Sequence, residues 1–145
     1  MTDTTAPAGE RYATDLTHAD VAELSGWLKA VLGVELRDAP DGTPANRLAF
    51  ALHALVDDVV DAANSHIKMR DARTPTPDDD EFTGLENLHA IRRAWGQLVS
   101  TAQQWDEHPG YDGARWRRVE TNPVLSALHR ERNDKIADKI IAAQG

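Results

Sequence analysis

Residues 43–69 read TPANRLAFALHALVDDVVDAANSHIKM, and this stretch predicts the central helix of an all-α protein. The Thr43 hydroxyl can cap the helix, and Pro44 suits the first helical position, where a missing N–H leaves no hydrogen bond unmade. Apolar residues then recur every three or four positions, which predicts one stripe that faces a core. The stripe consists of Leu48, Leu52, Leu55, Val56, Val59 and Ala63.

A helix of the same kind is predicted before this segment. Thr17 and Asp20 have the spacing of a capping box, and Gly33 predicts the end of the helix. A third helix is predicted to begin either at 76–77 or at Thr83, and Asn122 with the following proline predicts a fourth. The stripes of these three helices are Val21, Leu24, Leu28, Val31 and Leu32; then Leu85, Leu88, Ile91, Trp95, Leu98, Val99 and Ala102; then Val124, Leu125, Leu128, Ile136 and Ile140.

These patterns together predict the fold class. We expect an all-α fold, a single-domain bundle of about four amphipathic helices over residues 15–145, with a flexible, mobile N-terminal tail over residues 1–14. A chain of 145 residues is long enough to bury a core of its own. Residues 111–120 fit either a short helix or an extended segment, and both alternatives stay open at this point.

Composition excludes several classes of site. The chain has no cysteine, so disulfides, thiol nucleophiles and cysteine-based zinc sites are excluded. It has 24 acidic and 16 basic residues, and the acidic excess lies in residues 1–84, which disfavours nucleic acid as a partner. No stretch is apolar enough for a membrane span, so we expect a cytoplasmic protein without a membrane partner.

The motif DDVVD at residues 57–61 raises the question of a metal site. On a helical wheel Asp57 and Asp61 share one face, with Asp58 to one side of it. This face points away from the helix's own apolar stripe, whereas a metal-binding helix of a bundle directs its ligands inward. We interpret the three carboxylates as a solvated or partner-facing acidic surface.

An alternative comes from a family resemblance. The stretch GVELRDAPDGTPANRLAFALHALVDDVVDAA, residues 33–63, resembles the all-α nucleoside-triphosphate pyrophosphohydrolases, in which an E-E-x-x-E cluster and a downstream E-x-x-D hold Mg²⁺. The resemblance implies a Mg²⁺-dependent enzyme with Asp57, Asp58 and Asp61 as metal ligands. The chain departs from the family at the second motif, where Glu86 is followed three residues later by His89.

A second candidate surface is the run WDEHPGYDGARWRRVE, residues 105–120. It interleaves aromatic residues with arginine, the two residue types that dominate binding hot spots. The structural alternative is that the aromatic rings close the end of the bundle while the arginine stems cover them. Phe50, an apolar residue beside Asp57 and Asp61 on the polar face of the second helix, indicates a second contact surface. The predicted partner-binding residues are Trp105, Tyr111, Arg115, Trp116, Arg117, Arg118 and Phe50.

The sequence contains no complete catalytic constellation, and no catalytic residue, metal site or cofactor is assigned. The leading prediction is therefore a non-enzymatic, small acidic helical protein that acts through protein–protein interaction, as an assembly, regulatory, neutralising or phage-related component. Its expected partner is another protein or a second copy of itself. The competing hypothesis is the pyrophosphohydrolase-like enzyme, and only that alternative requires Mg²⁺.

Overall fold

The computed structural model describes residues 11–73 and 81–144, with the backbone alone at 81–83 and 123–130. Four α-helices make up most of these residues, and a short 3₁₀ helix at Gln103–Trp105 follows the third. The helices are α1 (His18–Asp38), α2 (Pro44–Ala72), α3 (Glu81–Ala102) and α4 (Pro123–Gln144). Their number and type confirm the all-α prediction.

The N-terminal caps of α1 and α2 form as their sequences predict. The Thr17 hydroxyl accepts a hydrogen bond from the Asp20 backbone N–H, and the Asp20 carboxylate accepts one from the Thr17 N–H, which completes a capping box. The Thr43 hydroxyl accepts a hydrogen bond from the Asn46 N–H, ahead of a helix that begins with Pro44. Each cap satisfies backbone donors that the first helical turn leaves unpaired. The proposed start of α3 at 76–77 lies outside the described residues.

Helix α1 is longer than the sequence predicts. The expected stop at Gly33 is wrong, because the helix continues to Asp38 and ends where Ala39 takes an extended conformation before Pro40. A residue that precedes proline is driven out of the helical region, so this is a strong stop. One glycine inside a helix costs only about 1 kcal/mol, and the buried side chains of Val31 and Leu32 just before the glycine hold the helix against the core.

Helix α2 lies between α1 and α3 and packs against both. Its buried residues are Ala49, Val56, Ala63 and Ile67. Val56 and Ala63 belong to the predicted stripe, and Leu52 and Val59 of that stripe pack against the core partly buried. Leu48 and Leu55 were expected in the core, but their side chains are 72% and 58% exposed. The helix is therefore rotated about its axis, so that two small alanines face the neighbouring helices and part of the apolar stripe faces outward.

The segment after α3 closes the end of the three-helix body. The Trp95 indole N–H, in the core, donates to the Arg117 carbonyl oxygen at 2.6 Å, and Trp116 and Val119 are buried. Glu120 exchanges backbone hydrogen bonds with the start of the described chain, because its carbonyl accepts from Ala13 N–H at 2.7 Å. Of the two conformations that stayed open for residues 111–120, neither describes the whole segment. Residues 113–115 form a turn, after which Trp116 N–H donates to the Asp112 carbonyl, and Glu120 forms one isolated bridge with Tyr12.

The predicted tail, residues 1–14, is only partly described. Residues 1–10 lie outside the described residues. Residues 11–14 differ from the expectation of a tail, because Ala13 is fully buried and the Arg11 carbonyl accepts a hydrogen bond from Glu120 N–H at 2.8 Å. The Arg11 guanidinium also lies 5.7 Å from the centre of the Trp95 ring. These contacts bring the first described residues into the folded body.

Helix α4 forms no packed interface with another helix in the described part of the chain. Every side chain from 131 to 144 is exposed. Among them are three isoleucines, Ile136, Ile140 and Ile141, with exposures of 49%, 53% and 66%. The described helices include none with the length and apolar character that a bilayer crossing requires.

Polar contacts join the three packed helices at two histidine–asparagine pairs. The His66 Nδ1 lies 2.7 Å from Asn87 Oδ1, and the Asn87 amide nitrogen donates to the His66 carbonyl at 2.9 Å. Since that amide nitrogen donates, Oδ1 is the accepting end and His66 Nδ1 carries the hydrogen. The second pair joins α1 to α2, with His18 Nδ1 at 2.8 Å from Asn64 Oδ1.

We expect Asn87→Ala to destabilise the protein more than Asn64→Ala. Asn87 is buried, and its removal leaves the half-buried His66 Nδ1 without its acceptor and takes one donor away from the His66 carbonyl, which costs about 1–3 kcal/mol. Asn64 is half-buried and makes one such contact, so its loss should cost no more than about 1 kcal/mol. Both substitutions change helix propensity equally. Urea unfolding monitored by circular dichroism measures the difference, and equal losses would contradict this account.

Candidate functional site

The first aspartate of DDVVD is already engaged by α1. The Lys29 ammonium lies 2.5 Å from Asp57 Oδ1, and His53 Nδ1 lies 3.8 Å from the other carboxylate oxygen. The hydrogen bond from Lys29 holds the pKa of Asp57 below its usual value of 3.8; the charges of Lys29 and His53 act in the same direction and partial desolvation opposes them. Asp57 therefore acts as an ion-pair link between α1 and α2.

The other two aspartates do not join Asp57 in a cage. Asp58 and Asp61 are exposed, and neither forms an ion pair with a described residue. Within the described ranges, no group of three or more histidine, aspartate or glutamate side chains is placed to hold a metal ion. The three carboxylates of the pyrophosphohydrolase alternative thus do not converge on one point in this structure.

The second half of that alternative, Glu86 and His89, lies elsewhere. Both residues line a groove of about 540 Å³ between α2 and α3, together with His66 and Met69. The His89 ring lies 3.4 Å from the Thr121 hydroxyl, on the side of the segment that leads to α4. Neither Asp57 nor Asp61 lines this groove, so the structure does not bring the two acidic motifs together.

The aromatic residues of the 105–120 run form a cluster against α1. Trp27, Tyr111 and Trp116 contact one another with ring centres 5.2–5.6 Å apart. The Trp27 indole N–H donates to the Pro109 carbonyl at 2.9 Å. Gly110 has φ +86°, a conformation that favours glycine, and a Cβ there would crowd the Trp27 indole nitrogen at 3.1 Å. The cluster fixes the loop after α3 to the middle of α1.

The predicted partner-binding aromatics therefore differ in accessibility. Trp116 is buried at 3% exposure and Tyr111 is half-buried, and this desolvation, with the charge of Asp106, raises the Tyr111 pKa above 10. Trp105 is half-buried, donates to the Glu35 carboxylate at 3.3 Å, and lines a small groove of about 280 Å³ beside Leu48. Of the three rings, Trp105 and Tyr111 keep an accessible edge.

The predicted arginines make long-range contacts with the body. The Arg115 guanidinium lies 2.6 Å from Glu23 and 3.7 Å from Asp20 on α1. Arg118 donates to the Ser100 hydroxyl on α3 at 2.5 Å. The half-buried Arg117 contributes its carbonyl to the Trp95 indole. These contacts explain how a segment without regular structure is held in place.

Most of the exposed large apolar side chains of the described three-helix body lie on α2. We call the exposed residues Leu48, Ala51, Leu55, Ala62 and Met69 the outer α2 face. Leu48, Leu55 and Met69 are between 55% and 72% exposed. Phe50, the predicted partner-binding residue of this helix, is 68% exposed and lies on the opposite edge of the same solvent-facing side. Asp58 lies between the two edges.

The sequence predicted helix α4 but not the exposure of its apolar residues. Ile136 and Ile140 were assigned to a core stripe, and the structure corrects this because both are about half exposed. One signal was available: residues 129–135, HRERNDK, contain no apolar residue, so the stripe is interrupted for nearly two turns. A helix with such a gap cannot present a continuous apolar face to a core.

Comparisons with known proteins add no assignment. No family model, no curated protein and no solved structure matches the chain significantly.

We expect Asp57→Asn to weaken the pH dependence of stability in acid. The pKa of Asp57 is lower in the folded protein than the usual 3.8, so its contribution to stability is complete above about pH 3.8 and is lost as the pH falls through the folded pKa. The Asp57→Asn variant should be less stable than the parent at neutral pH, and the two stabilities should converge in acid. Urea midpoints measured across this range test it.

Asp41→Asn is the matched control for that titration, because Asp41 is exposed, has no ion pair with a described residue and lies off the outer α2 face. Its midpoint should follow the parent at every pH. If the two variants behave alike, the Lys29–Asp57 pair is not the cause.

Proposed function

We propose that the protein is non-enzymatic and acts by binding another protein, with α4 and the outer α2 face as its contact surfaces. The observation that carries this proposal is that every side chain from 131 to 144 is exposed, in a helix that shares no extensive interface with the other described helices. Helices gain most of their stability in proteins from packing of an apolar face, and an isolated helix of this length is marginal in water. A partner would supply that packing.

The apolar residues of α4 give the partner a defined contact. Ile136 and Ile140 are four residues apart and lie on one side of the helix. Burial of one isoleucine side chain stabilises a complex by about 1.5–3 kcal/mol relative to full exposure, and both of these are about half exposed. An amphipathic helix that lays such a pair into an apolar groove is a common mode of peptide recognition.

The state of the carboxylates supports the non-enzymatic part of the proposal. Phosphoryl chemistry with Mg²⁺ requires carboxylates that converge on the ion. Asp57 is directed at Lys29 on α1, while Asp58 and Asp61 face solvent. The proposal covers assembly, regulatory, neutralising and phage-related roles alike. We place it in the cytoplasm, because a chain without cysteine suits a reducing compartment.

Ile140→Asp should abolish partner binding, whereas Ala142→Asp should leave it intact. The two substitutions add the same charge to the same turn of α4, but residue 142 lies about 200° away from residue 140 around the helix. The tagged parent and both variants would be used to capture proteins from the native cell, followed by mass spectrometry. Equal capture by both variants would show that the isoleucine side of α4 is not the contact surface.

An assay for turnover tests the enzymatic alternative directly. The purified protein would be incubated with Mg²⁺ and a panel of nucleoside triphosphates, alongside Asp57→Ala and Asp61→Ala. We expect no pyrophosphate release above the buffer control. Release by the parent that either substitution abolishes would contradict the non-enzymatic proposal and favour the pyrophosphohydrolase.

A further inference from the structure

We infer that the partner of α4 includes a second copy of this chain: two copies exchange their α4 helices, and each α4 lies antiparallel on the outer α2 face of the other copy. This inference rests on the proposed function and names the surface that α4 binds. It combines two unpartnered apolar surfaces of one chain, and the charges beside those surfaces determine how they would fit together.

The charges that border the two surfaces are opposite. On α4, Arg132, Lys135 and Lys139 lie along one edge of the Ile136–Ile140 pair. The acidic residues lie on the side of the helix away from that pair, and one of them, Glu131, forms an exposed ion pair with Lys135 at 3.2 Å. On α2, Asp58 and Asp61 lie along one edge of Leu55 and Ala62. The five charged side chains of the two edges are exposed. A basic edge and an acidic edge would therefore meet when the two apolar surfaces come together.

The same charges set the relative direction of the helices. Each helix is viewed along its axis from its N-terminus. In both helices the charged edge is then reached from the apolar residues by turning in the same direction around the axis. Two such edges meet only when the helices run antiparallel. Spacing then pairs Lys139 with Asp58 and Lys135 with Asp61, since each pair of residues is one helical turn apart. This register places Ile136 and Ile140 between Leu55 and Ala62.

Two basic residues on α2 limit the register. Lys68 lies about two turns after Asp61, and Arg47 lies about three turns before Asp58, on the same side of the helix. Shifts of two or three turns would place the basic edge of α4 against one of these cations. The acidic edge is confined to the middle of α2, which favours one register over its neighbours.

Pairing of two α4 helices with each other is disfavoured by the same geometry. In an antiparallel α4 pair, the two basic edges would face one another and repel. In a parallel pair, the basic edge would face Asn133, which offers no charge. The acidic edge of α2 is the complementary surface that the described residues provide. Reciprocal exchange of α4 gives a closed dimer with twofold symmetry, the commonest arrangement of soluble oligomers.

The decisive experiment is a charge exchange between two variants. Asp58→Lys/Asp61→Lys makes the α2 edge basic, and Lys135→Glu/Lys139→Glu makes the α4 edge acidic. Each double variant alone should dimerise about 100-fold more weakly than the parent, because like charges face each other in both contacts of the dimer. An equimolar mixture should recover dimer, because one of the two contacts in a mixed dimer then pairs the exchanged charges and the other keeps the parental pairing. Sedimentation velocity at low salt measures all three samples and the parent.

Controls separate edge charge from net charge and from folding. Asp38→Lys/Asp41→Lys changes the net charge of the chain as much as the α2 variant but lies at exposed positions off the outer α2 face, so it should dimerise like the parent. Circular dichroism checks that each variant keeps its helices. A mixture that regains the dimer also shows that both variants are folded.

A monomeric parent would overturn the inference, and so would a dimer that neither double variant weakens, or variants whose mixture stays monomeric. If α4 packed on the α2 of its own chain, the parental protein would be monomeric, and this result too would overturn the inference. None of these results contradicts the proposed function. Binding of a different protein through α4 is tested separately, by the capture experiment that compares Ile140→Asp with Ala142→Asp. Loss of the parental dimer in the variants and its recovery on mixing would support the inference.

Discussion

The rotation of α2 about its own axis is the constraint on which the rest of the structure depends. Contacts on two sides set it: Lys29 and His18 on α1 bind Asp57 and Asn64, and Asn87 on α3 binds His66. These contacts are directional, so they select one rotation among those that hydrophobic burial alone would allow. The selected rotation buries Ala49, Val56, Ala63 and Ile67 against the neighbours and leaves Leu48 and Leu55 outside. The accessible apolar surface of the body follows from that choice.

Local signals in the sequence predict much of this fold. Both N-terminal caps, at Thr17 and Thr43, depend on residues within three positions of each other, and the structure contains both. The helical periods of α1 and α3 also match their buried residues, because each of these helices has one apolar stripe of ordinary width. Signals of this kind need no knowledge of which helices are neighbours. The end of α1 shows their limit, since burial of Val31 and Leu32 outweighs the glycine that follows them.

The rest depends on contacts between residues far apart in the chain. A wheel places Asp57 opposite Leu55, but it cannot tell that Lys29 occupies the space beside Asp57 or that Leu55 is left exposed. Similarly, the aromatic and arginine residues of 105–120 can be identified from composition, whereas their division between a buried Trp116 and an Arg115 bound to Glu23 requires the position of α1. The metal-site question is of this kind too, because ligand convergence is a property of several elements at once.

The exposed leucines of α2 and the unpacked α4 have a common energetic meaning. Full burial of a leucine is worth about 1.5–3 kcal/mol, and a typical domain is stable by only about 5–15 kcal/mol. Leu48, Leu55 and Ile140 are largely exposed to water. The free energy of unfolding is therefore lower than it would be if these side chains were buried. Polar contacts that hold α2 in this rotation keep its leucines available. These leucines would become buried when a partner with a complementary surface binds. Association would then complete the hydrophobic packing of the protein.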